Sequence, residues 1–316
     1  MKVNIILSTY NGERFLAEQI ESIQNQTFQA WQLLIRDDGS TDDTLKIIKA
    51  FARDDARIHF INETERINLG VIKSFFTLIK SETADVYFFS DQDDVWLPDK
   101  LATMLEETQK HDQTKPLMVY MDLSVVDQNL NILTPSMIRT QSHHANTTLL
   151  PELTENTVTG GVSMINHALA EKWLSTDDII MHDWYLALLA TATGELVYID
   201  RVGELYRQHE NNVLGARTVG KRFELLHQGP KKIFMRYWQL IHDSQAQALK
   251  IVNQAVDDVS IEKIELIRKF VDIDQQNIFE RVRRLLKYKY TKNQLKHQIV
   301  FKLLILTNIF NNNSHT

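Results

Sequence analysis

The chain of 316 residues is 43% hydrophobic and 24% charged, with a formal net charge of −6, which is ordinary for a globular protein. It contains no cysteine, which excludes disulfides and thiolate metal sites and fits a reducing compartment. The apolar run at the N-terminus has about six residues, and no segment approaches the ~20 apolar residues of a membrane span. We therefore expect neither a signal peptide nor a spanning helix.

The first 125 residues alternate between short apolar runs and segments with helical periodicity. Strands are predicted at residues 3–8, 31–36, 57–61, 86–90 and 116–124. Helices are predicted between them at residues 15–23, 45–51, 71–79 and 100–107. This βαβα order, with strands that read as unbroken apolar runs, predicts a mostly parallel, Rossmann-like α/β sheet with helices on both faces.

The pattern after residue 125 is less regular. Residues 126–156 predict a long loop, and a strand with Gly160 and Gly161 inside it is predicted at 157–164. A helix is predicted at 183–191, a strand at 196–199, and further helices at 223–226, 233–256, 261–271, 276–289 and 293–310. We therefore expect an α/β domain at residues 1–216 and an all-helical region at 217–316, separated by glycines.

Ligands of open α/β sheets bind at the carboxyl ends of the strands, so the loops that follow the strands are the first candidates for a site. The loop after the first strand contains Ser8, Thr9, Tyr10 and Asn11. It has neither a dinucleotide-binding fingerprint nor a Walker A sequence. Its ring, hydroxyls and amide suit a stacked and hydrogen-bonded base; the alternative is a polar turn that caps a helix.

Carboxylates dominate the loops after the second and fourth strands. Asp37 and Asp38 end the second strand, where a carboxylate can accept the imide N–H of a uracil or thymine, or can belong to a simple turn and helix cap. Asp91, Asp93 and Asp94 lie within four residues after the fourth strand. They would repel one another without a hard divalent cation. The alternative is a solvated acidic turn.

Four segments together resemble glycosyltransferase family 2, which has the GT-A fold. They are VNIILSTYNG at 3–12, IRDDGSTDDT at 35–44, NLG at 68–70 and SDQDDVWLPD at 90–99, in the order and spacing of that family. Within the family the chain is similar to bacterial rhamnosyltransferases of cell-wall rhamnan or O-antigen assembly, a likeness supported by YRQHENNVLG at 206–215. The resemblance covers about residues 2–215.

The resemblance implies a role for each matching residue. The implied nucleotide-sugar contacts are Ser8, Thr9, Tyr10, Asn11, Asp38, Asn68, Lys73, Asp91 and Gln92. The implied acceptor-side residues are Trp96, Gly160, Gly161, His182 and Trp184. Asp183 corresponds to the catalytic base, and Asp93 and His209 to ligands of a Mn²⁺ or Mg²⁺ cofactor, with Asp91 as a further candidate. On pattern alone, Asp183 could equally cap a helix, and Gly160–Gly161 could form a bulge.

The expected function is therefore that of an inverting, metal-dependent glycosyltransferase. The resemblance indicates an α-L-rhamnosyltransferase that uses dTDP-β-L-rhamnose to extend a lipid-linked polysaccharide at the cytoplasmic face of the cell membrane. Alternatives are transfer of galactose or glucose from a UDP donor, a nucleotidyltransferase, and a non-catalytic scaffold. A nucleotidyltransferase would usually carry a glycine-rich phosphate loop with basic residues near the first strand, and residues 8–12 have none.

The C-terminal segment is strongly basic. Residues 281–316 contain eight lysines and arginines and no acidic residue, which leaves 27 basic and 41 acidic side chains in the remainder. The basic residues are interleaved with leucine, isoleucine and tyrosine, a pattern typical of an amphipathic helix on an anionic membrane. An intramolecular bundle and a homodimer contact are the alternatives. The acidic remainder would repel phosphate, so we expect no nucleic-acid partner.

Overall fold

The computed structural model describes residues 1–209, 230–254 and 258–311. Its strands are β1 Val3–Thr9, β2 Gln32–Asp37, β3 Ile58–Phe60, β4 Val86–Ser90, β5 Val95–Trp96, β6 Leu117–Val126, β7 Ile132–Thr134, β8 Ser163–Asn166 and β9 Glu195–Arg207. Its α-helices are α1 Leu16–Gln24, α2 Thr44–Asp54, α3 Val71–Ser81, α4 Lys100–Thr108, α5 Leu149–Glu152, α6 His167–Lys172, α7 His182–Thr193, α8 Pro230–Gln254, α9 Ile261–Val271, α10 Ile278–Tyr288 and α11 Leu295–Thr307. Within these ranges, no helix combines the length and apolar character needed to cross a bilayer.

The strands form one sheet in the order β3-β2-β1-β4-β8-β6-β9-β5, with β7 paired to β6. The β3-β2-β1-β4 half is parallel, β8 runs antiparallel between β4 and β6, and β6 and β9 are parallel. The register pairs Thr9 with Asp37 and Leu7 with Ser90. The predicted α/β class is confirmed, and the carboxyl ends of β1, β2 and β4 meet at one edge.

The segment around the paired glycines differs from its prediction. A strand was expected at residues 157–164, but Gly160–Val162 forms a 3₁₀ turn and strand β8 begins at Ser163. Glycine weakens a strand because it has no side chain to pack against its neighbours. The turn instead brings the backbone of Gly161 close to two carboxylates of the site described below.

Strand β9 is much longer than the predicted strand at 196–199. It has 13 residues and pairs with β6 along most of its length. The register of this pairing shifts near Asp122. Polar residues in its middle, Asp200 and Arg201, interrupt the apolar pattern from which a strand is recognised. The predicted long loop at 126–156 also contains β7, a π-helical turn at Ile138–Ser142 and α5. The predicted helix at 223–226 and the domain boundary at 216–217 lie outside the described residues.

Two apolar layers cover the two faces of the sheet. Alternate residues of β1 point to opposite layers, because Ile6 belongs to one cluster and Ile5 and Leu7 belong to the other. The layer that contains Ile6 also holds helix α7 and the buried side chains of the C-terminal helices. Helix α7 is buried over residues 183–192, which explains why it is apolar on all sides.

Helix α11 also has apolar residues on all sides, but only part of its circumference is covered in the described chain. Phe301, Leu304 and Ile305 are fully buried, whereas Leu295, Ile299 and Leu303 are exposed. The helix therefore uses one face to pack on the protein and presents a second apolar face outward.

We expect the two faces of α11 to contribute very differently to stability. Phe301→Ala should lower the free energy of unfolding by about 3–5 kcal/mol, because it removes a buried aromatic ring and leaves a cavity. Leu303→Ala, on the exposed face of the same helix, should change it by no more than about 0.5 kcal/mol. Urea unfolding of both variants tests this, and equal losses would show that Leu303 is covered by something in the folded protein.

Candidate active site

The three polar loops at the carboxyl ends of β1, β2 and β4 are bound to one another. The Asp38 backbone N–H donates to the Thr9 carbonyl over 2.7 Å, and Thr9 Oγ1 donates to Asp37 Oδ1 over 3.0 Å. The Gln92 side chain spans the gap to the first loop, accepting from the Tyr10 backbone N–H at 2.8 Å and donating to its carbonyl at 3.0 Å. The edge of the sheet is therefore a connected polar surface.

Asp38 lies beneath this surface, with 4% of its area exposed. Its carboxylate accepts from the backbone N–H groups of Leu69 and Gly70 at 2.7 and 2.8 Å, from Ser74 Oγ at 3.1 Å, and from Arg36 Nη1 at 2.5 Å. Gly70, with a φ of 78°, begins helix α3 in a left-handed conformation that favours glycine. Asp38 thus fixes the start of α3.

The other residues implied in nucleotide-sugar binding differ in accessibility. Tyr10 is 51% exposed, which leaves its ring open to stacking. The remaining exposed members are Asn11, Asn68 and Lys73, and the half-buried ones are Ser8, Asp91 and Gln92. Thr9 is fully buried and hydrogen-bonded to Asp37, so it supports the loop from behind.

Carboxylates crowd around Gly161. A Cβ atom built on this glycine would lie 2.7 Å from Glu204 Oε1 and 3.2 Å from Asp91 Oδ2, so a side chain there would collide with the site. Burial, and then repulsion from Asp93, Glu204 and Asp183, raises the pKa of Asp91 well above its usual range. The edge of the sheet therefore concentrates negative charge in a small volume.

A buried lysine partly neutralises this charge. Lys100 and Glu204 are both fully buried, and their Nζ and Oε2 atoms are 2.9 Å apart. Lys100 Nζ also donates to the carbonyl of Gly161 and lies 3.7 Å from the ring centroid of Trp96. Burial lowers the pKa of Lys100 and raises that of Glu204, because a desolvated charge is unfavourable. The pair holds the glycine turn beside Asp91.

Asp93 and His209 lie together at the mouth of the site. Asp93 Oδ2 and His209 Nε2 are 2.6 Å apart, although the residues are 116 positions apart in the chain. The His209 ring packs on Phe15, with centroids 5.0 Å apart. Across the residues that the structure describes, no three His, Asp or Glu side chains converge as a complete metal cage. Asp93 and His209 could therefore supply part of a ligand set, with the remainder from a bound ligand or solvent.

Arg207 holds the acidic loop in position. It is 2% exposed, and its backbone N–H donates to Asp94 Oδ1 at 2.9 Å. Its guanidinium donates to the carbonyls of Asp93 and Gln128, each at 2.8 Å, and to the carboxylate of Glu18. The end of β9 thus ties helix α1, the acidic loop and the β6–β7 turn together.

Asp183 lies in the first turn of α7 and is 5% exposed. Its Oδ1 accepts from the backbone N–H of Trp184 at 2.6 Å, and burial raises the pKa of its carboxyl to about 6. His182 beside it packs on Phe75 and Phe89, with ring centroids 4.6 and 5.2 Å away. Burial lowers the pKa of His182 to about 4, so its ring is neutral at neutral pH. Asp183 can therefore accept a proton near neutral pH.

The residues implied on the acceptor side do not all reach the surface of the site. Trp96 is 2% exposed and Trp184 is 6% exposed, so both pack beneath the site. A Cβ atom on Gly160 would lie 2.9 Å from His182 Nε2. Because Gly160 has no side chain, the space beside it is occupied by the His182 ring of the protein itself.

Sequence reasoning missed Lys100, Glu204, Arg207 and Glu152 as members of the site. Glu152 is fully buried, and burial together with the nearby charge of Asp183 raises its pKa well above its usual value. No local signal singles out Glu204, because its strand also carries the charged residues Asp200 and Arg201.

We expect the buried Lys100–Glu204 pair to be essential for stability. Lys100→Met should lower the free energy of unfolding by about 3–5 kcal/mol, because Glu204 would remain buried without its cation. The double variant Lys100→Met/Glu204→Gln should recover part of the loss. Urea unfolding measures both effects.

The exposed Lys110–Glu107 pair is the matched control, since its N–O distance is also 2.9 Å. Lys110→Met should change stability by at most about 1 kcal/mol, as is usual for ion pairs in solvent. Equal effects of Lys100→Met and Lys110→Met would contradict the role assigned to the buried pair.

Comparison with known proteins shows the family to which the chain is related. The model of the family described as glycosyl transferase family 2 matches residues 4–174, more than half of the chain. The dTDP-rhamnosyl transferase RfbG of Shigella flexneri is 32% identical over 230 residues, which cover 66% of this chain and 74% of that protein. The family match ends before Asp183, Glu204 and His209. The roles expected of Asp183 and His209 rest on the resemblance of their own segments, and Glu204 is added from its contacts with Lys100 and Gly161.

Solved structures share the fold. S. aureus TarS 1–349 in complex with UDP-GlcNAc has a TM-score of 0.58 and 18% identity, over 98% of this chain and 83% of that chain. The mannosyltransferase PcManGT from Pyrobaculum calidifontis, in complex with GDP-Man and Mn²⁺, has a TM-score of 0.50 and 15% identity, over 98% and 88%. At these identities the likeness shows the fold alone, and the expected GT-A fold is confirmed.

Proposed function

The chain belongs to glycosyltransferase family 2 and is a glycosyltransferase, and from this premise we propose that it is an inverting α-L-rhamnosyltransferase. The donor is dTDP-β-L-rhamnose and the acceptor is a lipid-linked cell-surface polysaccharide of the rhamnan type. The similarity to RfbG, which is a dTDP-rhamnosyl transferase, supports the choice of donor.

The observation that carries the proposal is the convergence of Asp93, Asp183 and Asp91 at one edge of the sheet. Asp91 feels the charges of both Asp93 and Asp183, and His209 contacts Asp93. A nucleotide sugar needs one group that compensates diphosphate charge and another that accepts a proton from the acceptor. Both kinds of group are present here, within electrostatic range of each other.

A divalent cation, Mn²⁺ or Mg²⁺, fits the chemistry of Asp93 and His209, with Asp91 as a further ligand candidate. Carboxylate oxygens suit hard cations, and the crowding that raises the pKa of Asp91 is the kind of repulsion that a cation relieves. When bound, such an ion would offset the negative charge of the leaving diphosphate.

The nucleotide is expected along the exposed part of the same edge. Tyr10 would stack on the base, and Lys73 would contribute a positive charge near the phosphates. The other contacts would come from Ser8, Asn11, Asn68, Asp91 and Gln92. Thr9 and Asp38 would hold the binding loops in position without touching the nucleotide, because both are buried and hydrogen-bonded within the protein.

In the proposed reaction, the oxygen of an acceptor hydroxyl attacks the anomeric carbon of the donor sugar. The carboxylate of Asp183 takes the hydroxyl proton as the new C–O bond forms. The bond between the anomeric carbon and the diphosphate oxygen breaks, and dTDP leaves with that electron pair. A single displacement inverts the configuration, so a β-linked donor gives an α-L-rhamnoside.

We expect Asp183→Asn to lose transfer while keeping donor affinity. Loss of a positioned base typically lowers turnover by about 10²–10⁴-fold. The control is Asp178→Asn, at an exposed residue of the preceding loop whose left-handed conformation asparagine tolerates. Product formation and donor calorimetry are measured on both; donor binding lost together with turnover would argue against a role as base.

The rate of transfer should depend on the ionisation of Asp183. Because a base must be deprotonated and burial raises the pKa of Asp183 to about 6, kcat/KM should fall roughly tenfold per unit as pH drops below that value. The titratable groups that face it are Asp91 and Glu152, whose own pKa values are raised, while His182 stays neutral. Thermal unfolding over the same range controls for loss of fold, and a flat profile through pH 6 would be incompatible with this assignment.

Donor and metal are tested together by thermal shift with dTDP-rhamnose, UDP-glucose and UDP-galactose, each with and without Mn²⁺. A ligand at 100 times its Kd stabilises the fold by about 2.7 kcal/mol, which is readily measured. We expect the largest shift from dTDP-rhamnose with Mn²⁺ and no Mn²⁺ dependence in Asp93→Ala. Asp112→Ala, in an exposed turn, is the control. If a UDP sugar raises the unfolding temperature more than dTDP-rhamnose does, the donor is that UDP sugar and the proposed donor is wrong.

A further inference from the structure

Helix α11 presents an apolar face to the outside of the described structure. Leu295, Ile299 and Leu303 are 71%, 58% and 45% exposed and recur every four residues, so they form one stripe. The opposite side of the same helix, with Phe301 and Leu304, is fully buried. Apolar residues on an exposed helix stripe are unfavourable in water, which indicates that something else covers this stripe.

Helix α10 has a similar stripe beside it. Phe279 and Leu286 are 84% and 73% exposed, and Ile278 and Val282 lie on the same side of the helix. Helices α10 and α11 contact each other, and the Arg281 guanidinium donates to the carbonyl of Ile305 over 2.9 Å. The exposed apolar side chains therefore belong to one helical pair.

Basic residues flank the stripe of α11. Lys296 and Lys302 lie on either side of it by helical position, and in the described parts of the chain neither has a carboxylate partner. Arg284, expected on the polar face of a membrane helix, is instead buried and paired with Asp272 and Glu280. Arg283 and Lys287 are also paired, with Glu280 and Glu265. The positive charge beside the stripe is therefore that of Lys296 and Lys302.

We propose that the exposed faces of α10 and α11 dock on an anionic lipid bilayer, with the leucine, isoleucine and phenylalanine side chains entering the interface. Lysines beside an apolar stripe match the negative surface of such a bilayer. A second copy of the chain is a poorer match, because a symmetric contact would bring these lysines together and residues 281–316 contain no acidic residue to pair with them.

The connection between the two helices fixes the docked surface relative to the catalytic centre. The Asn293 backbone N–H donates to Glu155 Oε2 at 2.9 Å, and its Nδ2 donates to Asn146 Oδ1 at 3.1 Å. Asn146 in turn donates to Glu152 Oε2 at 2.9 Å, and Glu152 lies close enough to Asp183 to feel its charge. This inference deepens the proposed function, and it rests on that function for the identity of the acceptor as a lipid-linked glycan.

Flotation of the full chain with vesicles tests the docking directly, in the absence of donor, acceptor and metal. The vesicles are phosphatidylcholine with phosphatidylglycerol, or phosphatidylcholine alone. The test variant is Leu295→Ser/Ile299→Ser/Leu303→Ser, and Lys296→Glu/Lys302→Glu probes the charge. The control is Ile132→Ser/Leu133→Ser/Leu174→Ser, at apolar residues that are 63%, 53% and 61% exposed elsewhere.

We expect the wild type and the control to float with anionic vesicles, and both stripe and charge variants to bind at least about tenfold more weakly, because binding scales with buried apolar area and with charge. Phosphatidylcholine alone should bind less than the anionic mixture. Equal flotation of the stripe variant and the wild type would overturn the proposal. So would a wild type that does not float but forms a dimer that the stripe variant loses, as measured by light scattering.

Transfer to a short soluble acceptor separates this proposal from the proposed function. The stripe variant should keep transfer to the soluble acceptor and lose transfer to a lipid-linked acceptor in anionic vesicles. If the wild type floats but transfers no sugar, the proposed function is wrong and the docking stands. If it transfers sugar to both acceptors without floating, the docking is wrong and the proposed function stands.

Discussion

Repulsion among buried carboxylates is the constraint on which the catalytic edge of this protein depends. Burial, and then repulsion from Asp93 and Glu204, raises the pKa values of Asp91 and Asp94, and both Asp94 and Glu204 are fully buried. Lys100 offsets part of the charge, and its ammonium also holds the carbonyl of Gly161. The repulsion that remains is of the kind that a bound cation would relieve.

The sheet explains how this arrangement is built. Parallel pairing of β1, β2 and β4 brings three polar loops to one edge, whereas the long strand β9 contributes Glu204, Arg207 and then His209 from the other half of the sheet. Arg207 joins the two halves through its hydrogen bonds to the carbonyls of Asp93 and Gln128. The acidic loop is therefore positioned by residues far away in the chain.

The C-terminal helices take part in the same construction. Their buried side chains share an apolar cluster with α7, the helix that carries Asp183, and the connection at Asn293 is hydrogen-bonded to the segment that contains Glu152. The helical region thus packs against the part of the protein that carries Asp183 and Glu152. A chain of hydrogen bonds and packed side chains therefore links the helices that carry the exposed apolar stripe to the surroundings of Asp183.

Local patterns in the sequence were sufficient to predict the α/β class, most strands and helices of the first 125 residues, and the acidic loop after β4. They succeed there because periodicity and turn residues reflect interactions between near neighbours. They failed at Gly160–Gly161 and in the second half of β9, where packing against distant residues outweighs local preference. The Lys100–Glu204 pair joins residues 104 positions apart, and His209 meets Asp93 across 116. Such partners are set by sheet register, so only the tertiary structure decided which charges are buried together and which polar groups remain available to a ligand.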